Sequence, residues 1–214
     1  IDRLTSGRVI LSKNNSSAST MHGRMENGEF LKTYLCKVKG DFPSDLKLCN
    51  EPIKTVNFKL GLNAVSRDGK ECMTRFEKIC FDGEFSYLKA FPETGRTHQI
   101  RVHLQHLGYP IFNDPLYNDS DIWSGKKKCE PLSGDALKQA IAGIELLYED
   151  EYDSVNVDQS LISTAACIDC ANPKPDPQKE SLYLCLHAFR YKGDSFEYTS
   201  KVPGWAEHLD ISKL

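Results

Sequence analysis

Two runs rich in β-branched and aromatic residues, MTRFEKICF at 73–81 and FSYLKAF at 85–91, meet across Asp82-Gly83. That dipeptide tolerates the positive φ of tight hairpin turns, so the pair predicts an antiparallel hairpin and commits the chain to a sheet. VILSK at 9–13, KTYLCKV at 32–38 and TVNFKLGL at 55–62 predict further strands, and SLYLCLHAFRYKG with SFEYTSKVPGW predicts a closing hairpin turning near Gly193-Asp194. One helix is clear over 97–107: Ile100, Leu104 and Leu107 recur at i, i+4, i+7, Gly108 ends it, and His98, Arg101 and Gln105 fall on the other side. A polar helix is predicted between Ala18 and Phe30 and an amphipathic one over 136–148. The expected fold class is α+β, with a mixed, mostly antiparallel sheet and peripheral helices.

Charge divides the chain into three parts. Its 27 Lys and Arg against 30 Asp and Glu give a net charge of −3, which is not the footprint first expected of a nucleic-acid binder. Residues 1–117, with 17 basic and 13 acidic side chains, are nevertheless mildly basic, whereas residues 118–180 hold 13 acidic and only 6 basic ones. The expected organisation is a main core over 1–117, an acidic and partly disordered insertion over 118–180, and closing strands of the core over 181–214. The insertion carries YEDEYD at 148–153 and PKPDP at 173–177, and its charge is expected to keep it off a polyanionic partner. No run approaches the ~18 apolar residues of a membrane span, and no secretory signal opens the chain. Eight scattered cysteines suit reduced core thiols better than a disulfide framework, so an intracellular location is expected, with cytoplasm, nucleus and mitochondrion left open.

Two strings can carry chemistry. In IDRLTSG, Asp2 is followed within five residues by Thr5, Ser6 and Gly7, a hydroxyl-rich loop that can hold a carboxylate. Asp, Ser, Thr and Gly are also the usual turn residues, so alone the string reads first as a turn or cap. GRTHQIRVHLQHLGYPIFNDPLYN, residues 95–118, opens a helix with Arg96, Thr97, His98, Gln99 and Arg101, then runs on through an Asn113-Asp114 turn to Tyr117. Arg101 can form a bidentate pair with a carboxylate and hold an ionised nucleophile in place. The alternative is a surface helix with its polar side outward. His98, His103 and His106 are not spaced to share one face, which argues against zinc there. Cys167 and Cys170 form a single C-x-x-C, with Cys129 upstream and Cys185 and His187 downstream; one such pair is a weak zinc signal.

Taken together, D-R-L-T-S-G and G-R-T-H-Q-I-R-V-H-L-Q-H-L-G-Y-P-I-F-N-D-P-L-Y closely resemble the catalytic and third motifs of the RluA-type RNA pseudouridine synthases. KTYLCKVKG at 32–40 resembles the family's Lys-x-Tyr segment, and LHAFRY at 186–191 its late Leu-His-Ala strand. The resemblance covers 1–117 and 182–205 and is nearest to the eukaryotic branch. It implies an isomerase that converts uridine to pseudouridine in structured RNA, tRNA before rRNA or mRNA. It implies no metal or organic cofactor, no membrane and a monomer.

Carried over, Asp2 is the implied nucleophile, Arg101 its ionic partner, and Tyr34 the residue that stacks on the base or moves a proton. A buried hairpin tyrosine is the plain alternative for Tyr34. Ile100 and Leu104 match apolar pocket positions, and Arg3, Thr5, Ser6, Gly7, Arg96, Thr97, His98 and Gln99 are candidate RNA contacts or loop organisers. An aspartate with reference pKa about 3.9 is ionised at neutral pH and needs no base to activate it. The site must instead admit a base flipped out of its stack, at a cost of roughly a few kcal/mol. The family's arginine two residues before the aspartate would precede Ile1, and Arg8 stands at a usually apolar strand position. The expectation is therefore an N-terminally truncated fragment, poorly stable and inactive alone, of an active enzyme. The rival functions are a non-catalytic RNA-binding pseudoenzyme and a protein-interaction module.

Overall fold

A computed structural model describes residues 1–123, 128–132, 134–153 and 182–210, leaving aside the side chains of residues 26 and 147–153. In chain order the elements are β1 (Ser6–Gly7), α1 (Asn15–Glu26), β2 (Leu31–Lys39), β3 (Leu48–Cys49), β4 (Ile53–Asn57), β5 (Leu62–Val65), β6 (Thr74–Phe81), β7 (Phe85–Pro92), α2 (Gln99–His106), α3 (Gly134–Asp153), β8 (Leu186–Gly193) and β9 (Phe196–Thr199). The order β1-β8-β2-β7-β6-β3, with β9 on β8, forms one sheet, and β4 and β5 pair separately. Among the described strands, only β1 runs parallel to its neighbour, β8. This is the expected α+β arrangement.

The Asp82 hairpin forms as the sequence predicts. Gly83 takes φ +104, and Asp82 Oδ1 accepts from the backbone N–H of Glu84 and Phe85, at 2.9 and 2.7 Å. Two predicted strands come out differently. Residues 9–13 are not a strand: β1 ends at Gly7, the ladder closes with Arg8 N donating to the Ala188 carbonyl, and Val9 and Ile10 turn to wall a cavity. Residues 55–62 are broken by a turn. Asn57 Oδ1 accepts from Leu60 N at 3.0 Å and Gly61 takes φ +63, so the exposed Phe58 sits at a turn tip where its β-propensity misleads.

Helix α2 departs furthest from expectation. Every one of its eight residues is buried, so it is not a surface helix with a polar face to solvent. Ile100, Leu104 and Leu107 pack on Cys36, Val38, Phe76, Leu88 and Ala90 of the sheet, while Val102 faces a second cluster built from β4, β5, Tyr117, Trp123 and α3. A helix enclosed on both sides must bury its polar residues and pair them internally. The second cluster also bears on the acidic block. Trp123, Leu132, Ala140 and Ile144 are buried, so this part of the chain contributes four residues to the core. No helix among the described residues is long and apolar enough to cross a membrane.

Candidate active site

Residues 4–8, around β1, are tied to β8 and the chain on either side of it. Leu184 N donates to the Leu4 carbonyl, Ser6 Oγ lies 2.8 Å from His187 Nδ1, and the Arg8 guanidinium donates to the Thr199 carbonyl at 2.6 Å. Arg8 thus bridges to β9. A tight turn, Thr5 N to Asp2 O at 3.0 Å, then holds Asp2 beside α2. Gly7 is required there: with φ +110, an added Cβ would fall 2.3 Å from the Ala188 carbonyl oxygen.

Arg101, buried in the first turn of α2, meets two carboxylates. Its Nε and Nη2 donate to Asp114 Oδ2 and Oδ1 at 2.8 and 2.9 Å, and its Nη1 donates to Asp2 Oδ2 at 3.3 Å. The bidentate partner is therefore Asp114, with Asp2 held by one bond. Asp114 Oδ1 also accepts from Leu116 N and Tyr117 N, and the Tyr117 ring lies 5.0 Å from the guanidinium. Burial alone would lower the Arg101 pKa, but bonding to Asp114 and the nearby acidic groups push it up, so the cation is secured. Asp114 is fully buried, while Asp2 keeps about a quarter of its side-chain surface exposed. Only Asp2 opens on the cavity.

That cavity, about 400 Å³, is lined by Asp2, Thr5, Lys32, Tyr34, Arg96, Thr97, His98, Gln99, Ile100, Arg101 and Tyr191 among others. In β2, Lys32 and Tyr34 are two apart and share a face. The register against β8 shifts between Thr33 and Tyr34, pairing Lys32 with Tyr191 and Tyr34 with Ala188. The shift brings the Tyr34 and Tyr191 hydroxyls to 3.2 Å. Burial first, then Tyr191 and Asp2, push the Tyr34 phenol well above its usual range. The Lys32 ammonium, lowered by burial, has the Thr94 carbonyl at 3.4 Å. The Thr5 hydroxyl is buried with no partner among the described residues.

The sequence candidates separate by environment. Gln99 is fully committed: its Oε1 accepts from Thr94 and Arg96, and its Nε2 donates to Met73 and Thr74, so it braces the 94–99 loop. Arg96 and Thr97 are exposed at the cavity rim, and Arg3 is exposed away from it. Ser6 is spent on His187. Ile100 lines the cavity, whereas Leu104 lies one turn deeper in the core and does not. His98 has φ +57, a left-handed conformation costing a non-glycine residue roughly 1–2 kcal/mol. Cys167 and Cys170 lie outside the described residues. His187 has both ring nitrogens beside serine hydroxyls, Ser6 and Ser200, which leaves it no lone pair for a metal. Asp114, Lys32 and Tyr191 were missed. The Asn113-Asp114 turn was the visible signal for the first; nothing in sequence marks the strand register that recruits Tyr191.

Comparison with known proteins agrees on the fold. The human RNA pseudouridylate synthase domain containing 1 structure superposes with a TM-score of 0.55 over 95% of this chain and 66% of that one, at 18% identity. The sequence profile of the RNA pseudouridylate synthase family matches residues 1–106. Mouse (Mus musculus) pseudouridylate synthase RPUSD2 is 33% identical over 96% of this chain and 47% of its own length. The mitochondrial tRNA pseudouridine(32) synthase of Saccharomyces cerevisiae is also 33% identical, over 96% and 48%. This chain belongs to the RluA-type RNA pseudouridylate synthase family, in its eukaryotic branch. It spans about half the length of the curated relatives it matches.

Proposed function

We propose that this chain carries the catalytic site of an enzyme that isomerises uridine to pseudouridine in structured RNA, with Asp2 as nucleophile. The observation that carries this reading is the Asp114–Arg101–Asp2 relay. A buried cation, fixed on one side by two bonds to a buried carboxylate, holds a second carboxylate at the wall of a cavity within the size range of small-molecule sites. Asp2 bonds to C1′ as the N1–C1′ bond breaks and the base leaves with that electron pair. The base turns, C5 bonds to C1′ as the Asp2–C1′ bond breaks and frees the carboxylate, C5 then loses its proton and N1 gains one. Atoms and electrons balance without any cofactor.

Tyr34 flanks the same space. Its raised pKa keeps it protonated at neutral pH, suiting it to stack on the base and to donate rather than accept a proton. Relatives named for tRNA positions 31 and 32 support tRNA as the substrate, and the mitochondrial name of the second is compatible with the expected intracellular setting.

The test uses the natural full-length protein that contains this sequence. It should form pseudouridine in a tRNA substrate, and Asp2→Asn should abolish the product while RNA binding persists. Unchanged modification by Asp2→Asn would sink the assignment of Asp2. Binding by the unsubstituted protein with no product at all would favour the pseudoenzyme.

A further inference from the structure

His98 is placed in an unusual way. It precedes α2 in the left-handed region, makes no side-chain cap for the helix, and lines the cavity beside Asp2 and Arg101. Histidine visits this region more readily than most residues, yet such residues persist where surrounding structure holds them, and they cluster at functional sites. What holds His98 is Tyr117, whose hydroxyl lies 3.0 Å from His98 Nδ1, with the rings edge to face at 5.7 Å.

The proton on that bond can be assigned. The Tyr117 hydroxyl accepts from the Asn63 backbone N–H at 3.1 Å, and the tyrosine is buried. A buried hydroxyl also places its own proton, and His98 Nδ1 is the acceptor within reach. With Nδ1 accepting, the neutral imidazole must carry its proton on Nε2. Burial, with Arg101 close by, lowers the His98 pKa despite the opposing pull of Asp2 and Asp114, which agrees with a neutral ring. Among the described residues, Nε2 has no hydrogen-bond partner.

We propose that His98 contacts the substrate, presenting an Nε2–H donor, locked in that tautomer by Tyr117, to an oxygen of the nucleotide that Asp2 attacks. A neutral donor is what this position can tolerate. A second cation beside Arg101 would compete for Asp2, whereas a neutral N–H orients an oxygen of the base or ribose without disturbing the ion pair. The tautomer also excludes Nε2 as the base that removes the C5 proton. The inference rests on the chemistry proposed for Asp2, so its test separates the two.

His98→Asn is the informative variant. Asparagine tolerates the left-handed conformation, and its Oδ1 can take the Tyr117 proton, but it ends short of Nε2. In the full-length protein, kcat/KM for a tRNA substrate should fall about tenfold or more, as for loss of one oriented hydrogen bond, while Tm stays unchanged. Separately, ¹⁵N-histidine spectra of the free protein should show His98 as the Nε2–H tautomer, becoming a mixture in Tyr117→Phe. Wild-type kcat/KM in His98→Asn, an activity loss that only follows a lowered Tm, or an Nδ1–H tautomer in the unsubstituted protein would each overturn the proposal. Product formation by Asp2→Asn would instead remove the reading on which it rests, and the spectra would still report the tautomer.

Discussion

Arg101 is the residue on which the site turns, and its burial decides what can be changed around it. A buried guanidinium left without its main partner carries an uncompensated charge, and breaking such a pair costs about 3–5 kcal/mol. Asp114→Ala should therefore lower the urea unfolding midpoint sharply, by more than Asp2→Ala does, because Asp114 holds two of the three bonds and is fully buried while Asp2 is partly exposed. Equal losses in the two variants would mean that Asp2, not Asp114, anchors the arginine. Arg101→Lys should also reduce turnover. A single ammonium cannot reproduce the planar fork that spans Asp114 while still reaching Asp2. The sequence showed that Arg101 needed a carboxylate but could not show that two compete for it. Asp2 and Asp114 are 112 positions apart, and only the fold brings both to one guanidinium.

Among the elements, the short β1 has the largest effect for its length. Two residues of parallel pairing, Ser6 with His187 and Gly7 with Ala188, fix the direction in which the preceding turn delivers Asp2. Gly7→Ala adds a methyl group 2.3 Å from the Ala188 carbonyl oxygen in a backbone that already has positive φ, so β1 must move off β8. Both Tm and pseudouridine formation should drop, with activity lost further than stability accounts for because Asp2 shifts with the strand. A variant that loses stability yet keeps its turnover would show that Asp2 is positioned by Arg101 alone. The hairpin at Asp82-Gly83, strand β2 and the closing pair were legible because local turn chemistry and alternation determine them. The break at Asn57–Gly61 and the end of β1 at Gly7 were not. Each depends on which neighbour is available, and isolated β-branched or aromatic residues such as Val9 and Phe58 cannot report that. Helix α2 was legible as a helix but not as a buried one, since its second wall comes from β4, β5 and α3.

At the scale of the molecule, enclosing α2 sets how stability responds to pH. His103 is buried on that helix. Its Nδ1 lies 2.9 Å from the Thr74 hydroxyl, which itself accepts from Gln99, and its Nε2 lies 2.9 Å from the Glu51 carbonyl. Nε2–H donates to Glu51 and Nδ1 accepts from Thr74, so the ring is satisfied only when neutral, and burial pushes its pKa down to about 4. The unfolded chain, titrating near pH 6.5, binds more protons than the folded one between those values. Stability from this group is complete above about pH 6.5 and is lost as the pH falls toward 4, by up to about 3 kcal/mol. His98 and His187, also lowered by burial, act in the same sense. Urea midpoints measured from pH 7 to 4.5 should fall, and His103→Gln, which retains an amide donor without a titrating ring, should flatten that fall although it lowers the midpoint at pH 7. An equally steep decline in His103→Gln would place the pH sensitivity elsewhere, among the carboxylates. The same enclosure involves the start of the acidic block. Trp123, Leu132, Ala140 and Ile144 wall the cluster that Val102 of α2 packs into, so removing 119–180 would strip one wall from the helix that carries Arg101 and His103.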